Sequence, residues 1–476
     1  MSASVFAQGE YSMNTTNQSS LSERIAQWCS ALDYQNLPIE VTDRTKYLLL
    51  DYLGCALRGV LSDSTRPVHG LIRNNEDPGG TVVVAGTDLR CEASIAALAM
   101  GMAAHSLELD DVVNSASLHP GVAVMSAALA IGYEQQCSGA ELLAAIVAGY
   151  EVTVRLGIAV NPAAHYARGF HPTGTCGTFG CGVTAARLLN LEQGALRNAI
   201  GIAGSQAAGS MEFLSDGSYT KRFHPGWAAH SGIIAAQLAQ HGLTGPASII
   251  EGKFGFLRSY SSRPDCDAVL RDWANPYQIM RTSIKPHACC RYKQGAIDCI
   301  LELIQRYNLQ PQAIEQVNIA ILEAGFALVA EPQEQKINPG SVVDAQFSMP
   351  FGAALAILRK DASLDRYCEQ ELAATDIREM MEKVNCIRDA SIETQFPDKW
   401  PARVEITTRD GQHLSHALEY PKGDPENPLS WAEIIDKFKT LATPVFADER
   451  CDELVDLVRN IEQQKNIREL IDRLVP

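Results

Sequence analysis

The chain has 476 residues, of which 46% are hydrophobic and 20% charged, a globular composition that excludes an intrinsically disordered protein. This length predicts two or three domains rather than one core. The formal net charge of −16 argues against nucleic acid or an anionic membrane as a partner. It does not argue against a small anionic substrate, because a pocket's potential depends on the charges close to it.

Cysteine usage and the N-terminal segment suggest a compartment. The thirteen cysteines are scattered and form no C-x-x-C motif, which favours reduced cysteines in a cytosolic protein. No apolar run is expected to reach the length that spans a bilayer. Residues 1–20 contain no Lys or Arg and no long apolar segment, so they are interpreted as a disordered lead-in rather than a signal or transit peptide. We expect a cytoplasmic protein, with a mitochondrial setting left open.

The N-terminal half is predicted to be almost purely helical. Ser20 with Glu23 and Ser138 with Glu141 match the capping box, and apolar residues at helical spacing follow each pair. Residues 43–57 repeat this spacing, whereas only residues 81–85 are strand-like. Segments rich in Ala, Gly and Ser, such as 198–210 and 227–240, predict helices that approach one another closely.

The pattern changes near Pro264. Residues 318–322 and 403–408 are strand-like, and a turn at Asp410-Gly411 predicts a hairpin with residues 413–420. Residues 344–358 and 369–384 are predicted to be helical, as is the chain from Trp431 onward. The predicted fold is mainly α. A large all-helical domain is formed from both chain ends, and a smaller α+β domain lies between them, with the following bounds: 21–280 and 421–476 for the helical domain, and 281–420 for the α+β domain.

An acidic segment lies between two apolar runs in residues 101–130. Glu108, Asp110 and Asp111 follow His105 and precede His119-Pro120. Two interpretations stay open. Either the aspartates cap helix ends while His119 lies on the surface, or a charged pocket is cut into a helical core, since carboxylates are rarely buried without partners.

Common catalytic motifs are missing from the sequence. The chain contains no G-x-x-x-x-G-K-[ST], no H-E-x-x-H and no G-x-S-x-G. The glycine-rich residues 177–182 lack the strand and the spacing of a dinucleotide fingerprint. We therefore do not expect ATP, NAD or dedicated zinc chemistry.

Histidines and cations recur at predicted helix ends. His119, His171 and His224 each precede a proline, which places them near helix N-termini, where anions are favoured. Lys221 precedes the third of these pairs, and Lys285 lies at the predicted domain junction. Each feature has a plainer interpretation: His224-Pro225 simply starts a helix, the lysines are surface residues, and Cys289 and Cys290 fill core space.

Taken together, these groups suit one kind of chemistry. Cations hold a small polycarboxylate, and a histidine with a pKa near neutrality removes a proton next to a carboxylate. Fixed positive charge then stabilises the enolate-like transition state. Dehydration, decarboxylation and epimerisation without a metal all fit this description.

Several stretches together resemble one family. The sequence is similar to the MmgE/PrpD family from about Leu21 to the C-terminus, in KYLLLDYLGC, ELDD…LHPG, GFHPTGTCGTFG, GSYTKRFHPGWAAHSG, IKPHACCRY and VVDAQFSMPFG. The resemblance implies a helical domain with an α+β lid, no metal or organic cofactor, a homodimer, and an active site between the domains. The positions that match the family's site are Glu108, Asp110, Asp111, His119, His171, Lys221 and Lys285.

The family includes 2-methylcitrate dehydratase, cis-aconitate decarboxylase and iminodisuccinate epimerase. Animal-type cis-aconitate decarboxylases carry a histidine five residues after the lysine that matches Lys285, where this chain has Cys290. The role of that histidine then passes to Cys290, Arg291 or Tyr292, or does not exist in this chain.

Our sequence-based hypothesis is a cofactor-independent hydro-lyase that dehydrates 2-methylcitrate or a related 2-alkylcitrate. His119 or His171 removes the proton and the other histidine assists departure of the hydroxyl, while Asp111 orients a neighbouring histidine. Lys221 and Lys285 hold the carboxylates of the substrate. Further substrate contacts are assigned to Glu108, Asp110, Cys290, Arg291 and Tyr292. The alternatives are a cis-aconitate decarboxylase with an itaconate-type product, an iminodisuccinate-type epimerase, and a binding protein without catalysis.

Overall fold

A computed structural model describes residues 19–74, 80–396 and 399–476. The prediction of a disordered lead-in at residues 1–20 lies outside the described residues, apart from Ser19 and Ser20. Ser20 is the N-cap of the first helix, and its side chain accepts a hydrogen bond from the backbone N–H of Glu23, as the capping box predicts.

The first part of the described chain is built from helices joined by short connections. These helices are α1 (Leu21–Ala31), α2 (Ile39–Gly59), α3 (Arg66–Asn74), α4 (Ala93–Ala104), α5 (Gly121–Gln135), α6 (Gly139–Ala159), α7 (Pro162–Ala167), α8 (Pro172–Leu188), α9 (Gln193–Gly204), α10 (Thr220–Gln240) and α11 (Phe256–Tyr260). Two antiparallel pairs of short strands accompany them, β1 (Val82–Val83) with β2 (Arg90–Cys91), and β3 (Val112–Val113) with β4 (Thr282–Ser283).

The segment after β4 combines helices with a sheet. Its helices are α12 (Gln294–Tyr307), α13 (Glu323–Val329), α14 (Gln333–Lys336), α15 (Val342–Gln346), α16 (Met349–Arg359), α17 (Glu369–Ala373), α18 (Thr375–Met381) and α19 (Ala390–Glu393). Its strands are β5 (Ile314–Ala320), β6 (Val384–Ile387), β7 (Ala402–Thr408) and β8 (His413–Leu418). They pair in the order β6-β5-β7-β8, with β5 and β6 parallel and the other pairs antiparallel.

The chain then returns to the first body of helices. This return consists of α20 (Trp431–Ala442), α21 (Asp448–Arg459) and α22 (Arg468–Asp472). One hydrophobic core joins residues 25–284 with residues 429–474, and α20 packs against α2. A second core lies mostly within residues 288–414. The predicted mainly α fold is confirmed.

Several predicted elements differ in detail from the observed ones. The predicted helix at 344–358 is wrong as a single element, because Ser348 caps a new helix and Pro350 cannot donate a backbone hydrogen bond. The predicted helix at 369–384 divides into α17 and α18 and ends in β6. The sequence of β6, VNCI, is too short for its pattern to indicate a strand.

The expectation that His224-Pro225 starts a helix is wrong. Both residues lie inside α10, which begins at Thr220. Proline in this position removes the N–H that would bond to the carbonyl of Lys221. The packing of α10 against α4 and α8 compensates for that loss.

The expectation that no apolar run is long enough to span a bilayer is also wrong. Among the described residues, Gly139–Ala159 has the length and the hydropathy of a membrane-spanning helix. Inside the protein, 94% of this apolar window is buried, which is typical of a core helix. The helix also contains a buried ion pair between Glu151 and Arg155.

Small residues allow α4 and α10 to come into backbone contact. A Cβ atom added to Gly226 would lie 2.3 Å from the carbonyl oxygen of Leu98, and one added to Gly101 would lie 2.7 Å from Cα of Gly226. Neither neighbour is a flexible side chain, so neither can move away cheaply. This contact fixes α10, which carries Lys221 and His224, against the helix that ends at the acidic segment.

We predict that Gly226→Ala destabilises the protein by about 1–3 kcal/mol, because the added methyl group forces two packed helices apart. Chemical denaturation measures this change. Gly194→Ala is the matched control, since a Cβ at Gly194 in α9 meets nothing within 4 Å. Equal stability of the two variants would contradict the close contact between α4 and α10.

Candidate active site

The acidic segment, residues 105–120 between α4 and α5, is held in place by a strand pair. Val112 pairs with Ser283 and Val113 pairs with Thr282. This register brings the acidic segment next to Lys285, which follows β4 by two residues. Two stretches that are distant in the sequence therefore form adjacent walls of one site.

Asp110 is the centre of this site. Its side chain is buried, and Oδ2 accepts a hydrogen bond from Nδ1 of His105 at 2.8 Å. Nδ1 of His119 lies 3.0 Å from the same oxygen. The ammonium group of Lys285 lies 3.8 Å from Oδ1. Burial alone would raise the pKa of Asp110, but His105, His119 and Lys285 together hold it well below its ordinary value. Asp110 is therefore an ionised carboxylate inside the protein.

The hydrogen bonds of Asp110 define which ring nitrogens are free. Nδ1 of His119 also lies 2.7 Å from the backbone carbonyl of Asp111, and a carbonyl only accepts, so this nitrogen carries the proton. His105 likewise donates from Nδ1, and burial lowers its pKa, so its ring is neutral. Nε2 of His105 is buried and has no hydrogen-bond partner among the described residues. Asp110 thus orients His105, and the carbonyl of Asp111 orients His119 beside Asp110, so each imidazole has a bare Nε2.

Glu108 and Lys221 form an ion pair at the edge of the site. Burial would raise the pKa of Glu108, but Lys221 and then Lys285 lower it to about 2. The backbone of Glu108 has a φ of 55°, an uncommon conformation for a residue with a side chain. This conformation turns the carboxylate toward Lys221, which projects from the first turn of α10.

Asp111 contacts the base of α5 rather than a histidine ring. Its carboxyl accepts hydrogen bonds from the hydroxyl of Tyr150 at 2.7 Å and from the backbone N–H of Gly121 at 3.0 Å. Burial raises the pKa of this carboxyl to about 7. Asp111 therefore caps a helix, as one sequence interpretation proposed, and it contacts His119 through its backbone carbonyl. The carboxylate that orients the histidines is Asp110.

His171 lies across the site from the acidic segment. It is the N-cap of α8, and its ring stacks on that of His105 with centroids 5.9 Å apart. Burial, together with the repulsion that Lys221 and protonated His224 or His105 would exert on an added proton, holds the pKa of His171 well below its ordinary value, so the ring is neutral. Its Nδ1 lies 3.0 Å from Nδ1 of His224.

Cys290, which follows Lys285 by five residues, lies close to the ion pair of Glu108 and Lys221. The thiol of Cys290 is nearly buried, and burial raises its pKa to about 11, so it stays protonated near neutral pH. Glu108 and Lys221 are close enough to influence this thiol.

Arg291 and Tyr292 are engaged elsewhere. The guanidinium of Arg291 donates to both carboxylate oxygens of Asp424, at 2.5 and 2.6 Å, and to Oδ1 of Asn114 at 3.0 Å. The ring of Tyr292 packs against Trp400 with centroids 4.8 Å apart. The structure therefore groups Glu108, Asp110, His119, His171, Lys221, Lys285 and Cys290, while Arg291 and Tyr292 bind other protein groups.

Sequence reasoning missed several residues of this site. His105 was noted as the start of the acidic segment, but its spacing to Asp110 was not used to predict contact. Lys437 of α20 forms a buried 2.5 Å ion pair with Asp51 and donates a 3.0 Å hydrogen bond to the carbonyl of Leu109. No local pattern indicated Lys437, because its partners lie more than 300 residues away in the chain.

His105, Asp110 and His119 also satisfy a distance criterion for metal ligands. One ligand atom from each lies within 4.8 Å of the others. Both Nδ1 atoms, however, carry a proton, which His105 donates to Asp110 and His119 donates to the carbonyl of Asp111, and the cations Lys221 and Lys285 repel a divalent ion. We therefore interpret this group as a hydrogen-bonded cluster.

Comparisons with known proteins agree over almost the whole chain. Models of the N-terminal and C-terminal domains of MmgE/PrpD proteins match residues 23–268 and 287–463. The cis-aconitate decarboxylase of Aspergillus terreus is 25% identical, with 97% of each chain covered. The human cis-aconitate decarboxylase is 26% identical over 93% of this chain and 92% of its own. A cis-aconitate decarboxylase-like protein, oryM of Aspergillus oryzae, is 26% identical over 96% of this chain and 98% of its own.

We predict that Asp111→Asn changes how stability depends on pH. A folded pKa of about 7 against an ordinary 3.8 means that the folded state holds this proton more tightly. The stabilisation is complete below about pH 4 and is lost as pH rises through 7, by at most about 1.4 kcal/mol per pH unit. Asparagine stays neutral and loses no such stabilisation. The difference between the Tm of the variant and the Tm of the wild type should therefore shift in favour of the variant as pH rises from 5 to 8.

Calorimetry at several pH values measures this difference. Asp88→Asn, which changes an exposed carboxylate, is the control and should follow the wild type throughout. If the Tm curves of Asp111→Asn and the wild type ran parallel, Asp111 would not be the titrating group.

Proposed function

Because the chain belongs to the MmgE/PrpD family, we propose that it is a lyase that releases carbon dioxide from cis-aconitate or a close relative of that tricarboxylate. The observation that carries this choice is the similarity, over nearly the full length, to relatives named cis-aconitate decarboxylase. The groups around Asp110 have the chemistry that this reaction requires.

Lys221 and Lys285 hold the carboxylates of the substrate. Lys221 is paired with Glu108, and Lys285 lies beside Asp110, so both ammonium groups are fixed before the substrate arrives. Fixed charges stabilise a developing anion without a cost of rearrangement. The backbone N–H groups at the start of α8, next to His171, add a further favourable position for an anion.

Decarboxylation breaks the bond between a carboxylate carbon and its neighbouring carbon. Carbon dioxide leaves without the bonding electrons, which remain on the substrate as an allylic carbanion delocalised toward a second carboxylate. A proton then forms a new C–H bond, so each turnover consumes one proton. The lysines lower the energy of the carbanion, and an acid must deliver the proton.

We assign proton delivery to His119. Its Nδ1–H is fixed on Asp110 and on the carbonyl of Asp111, which leaves Nε2 to bind the proton that is transferred. The carboxylate of Asp110 stabilises the imidazolium that forms. The side chain of His119 is 16% exposed, against 0% for His105, so it can recover its proton from solvent between turnovers.

Dehydration of 2-methylcitrate or a longer 2-alkylcitrate is the second candidate. The family resemblance implies that the animal-type decarboxylases carry a histidine at the position of Cys290, and the absence of that histidine favours dehydration. It is also favoured by the two imidazoles His119 and His171, since loss of water needs a base for the C–H proton and an acid for the hydroxyl. The same lysines would hold the carboxylates.

A product assay on metal-stripped protein distinguishes these reactions. Cis-aconitate, 2-methylcitrate, a longer alkylcitrate and citrate are supplied separately, and both released carbon dioxide and new double bonds are measured. We expect carbon dioxide and an unsaturated dicarboxylate from cis-aconitate. A new double bond without release of carbon dioxide from an alkylcitrate would support the dehydratase and contradict the decarboxylase. If none of the four acids were converted, both proposed reactions would be contradicted.

We predict that His119→Ala lowers kcat about 10²- to 10⁴-fold, because the proton donor is lost. Its Tm should remain close to that of the wild type, since the ring is partly exposed and Asp110 keeps His105 and Lys285 as partners. His413→Ala on β8 is the control for loss of an exposed histidine. Wild-type turnover by His119→Ala would remove His119 from the reaction.

A further inference from the structure

His171 and His224 form a hydrogen-bonded pair of imidazoles. Their Nδ1 atoms lie 3.0 Å apart, their ring centroids lie 5.2 Å apart, and both residues are buried. Two imidazole nitrogens form a hydrogen bond only when one carries a hydrogen and the other a lone pair. A neutral pair therefore has two arrangements, and each one fixes both rings in opposite tautomers.

Both rings of this pair are neutral. Burial lowers the pKa of His224 to about 4 and holds that of His171 well below its ordinary value. The charged and titratable groups that face the pair are His105, Lys221 and, for His171, also His119. These neighbours are cations or potential cations, so none of them favours an added proton on the pair. The aromatic ring of Phe213 contacts both imidazoles and carries no charge.

The position of His224 is fixed by close packing with glycine. A Cβ added to Gly174 in α8 would lie 3.2 Å from Cβ of His224. A Cβ added to Gly209, which has a φ of 148°, would lie 3.5 Å from Cβ of His171 and 3.6 Å from Cγ of His224. The backbone N–H of His171 also donates to the carbonyl of Gly209 at 2.9 Å. The two rings are therefore held together from both sides.

We propose that His224 is a positioning residue whose hydrogen bond allows His171 to change tautomer only when His224 changes as well, and so holds in place the hydrogen or the lone pair that Nε2 of His171 offers to the substrate. The Nδ1 contact itself does not depend on the reaction. Its catalytic consequence rests on the proposed function, in which an anionic group of the substrate binds at the start of α8, next to His171. Without His224, His171 interconverts between tautomers and loses its fixed orientation.

Two substitutions separate this role from simple packing. His224→Phe keeps a ring of similar size but has no nitrogen. His224→Asn loses ring volume but keeps an amide near the position of Nδ1, which can either donate or accept. We expect His224→Phe to lower kcat about 10- to 100-fold with little change in KM, because a group that orients an active-site residue is lost. We expect His224→Asn to retain more activity than His224→Phe.

A structural role predicts the reverse order, because phenylalanine fills the space better than asparagine. Higher kcat for His224→Phe than for His224→Asn would therefore overturn the proposal. His230→Phe is the matched control, since it makes the same change on the same helix at a ring that stacks on Trp227. It should leave kcat unchanged.

A second measurement needs no substrate. Nitrogen-15 NMR of the histidine rings, in protein without ligand, reports which ring nitrogens carry hydrogen. We expect one protonated and one bare nitrogen for His171 in the wild type, and averaged signals in His224→Phe. Averaged signals already in the wild type would overturn the proposal. If none of the four acids is turned over, the proposed function fails, while the NMR result still decides the role of His224.

Discussion

A buried carboxylate, Asp110, is the group on which the rest of the site depends. Ionised carboxylates inside proteins cost several kcal/mol unless they are paired and hydrogen-bonded. At Asp110 this cost is offset by a hydrogen bond from His105, by His119 at 3.0 Å and by the ammonium group of Lys285 at 3.8 Å, while Oδ1 accepts no hydrogen bond among the described residues. The hydrogen bond from His105 also sets the tautomer of that ring, and the charge of Asp110 favours a proton on His119. The contacts that stabilise the buried carboxylate of Asp110 therefore also determine the state of the two histidine rings.

Charges of opposite sign alternate through the site. Three lysines face three carboxylates, in the pairs Lys437 with Asp51, Lys285 with Asp110, and Lys221 with Glu108. The lysines come from α20, from the segment after β4 and from α10, so they belong to three distant parts of the sequence. Because the pairs are complete before a ligand arrives, the fold positions its cations without a substrate. In the proposed reaction, the polyanionic substrate would share cations that are already in place.

Local sequence patterns predicted the elements, but long-range packing determined the site. The capping box at Ser20 and the hairpin at Gly411 were predictable because a few neighbouring residues define each one. The interior position of His224 in α10 was not predictable, because packing against α4 and α8 outweighs the cost of Pro225. The hydrogen bond from Lys437 to the carbonyl of Leu109 was not predictable either, because the two residues lie 328 positions apart and only the complete fold brings them together.

The variant Asp110→Asn tests whether the buried charge of Asp110 is required for turnover. Asparagine has nearly the same shape as aspartate, but it has no charge and presents an amide hydrogen toward one of its former donors. Turnover of cis-aconitate and thermal unfolding are measured on the same preparation. We predict a fall in kcat of about 10²- to 10⁴-fold in protein that is still folded, because the imidazolium of His119 loses its counter-charge and His105 loses its fixed tautomer. Turnover within a fewfold of the wild type would contradict the account.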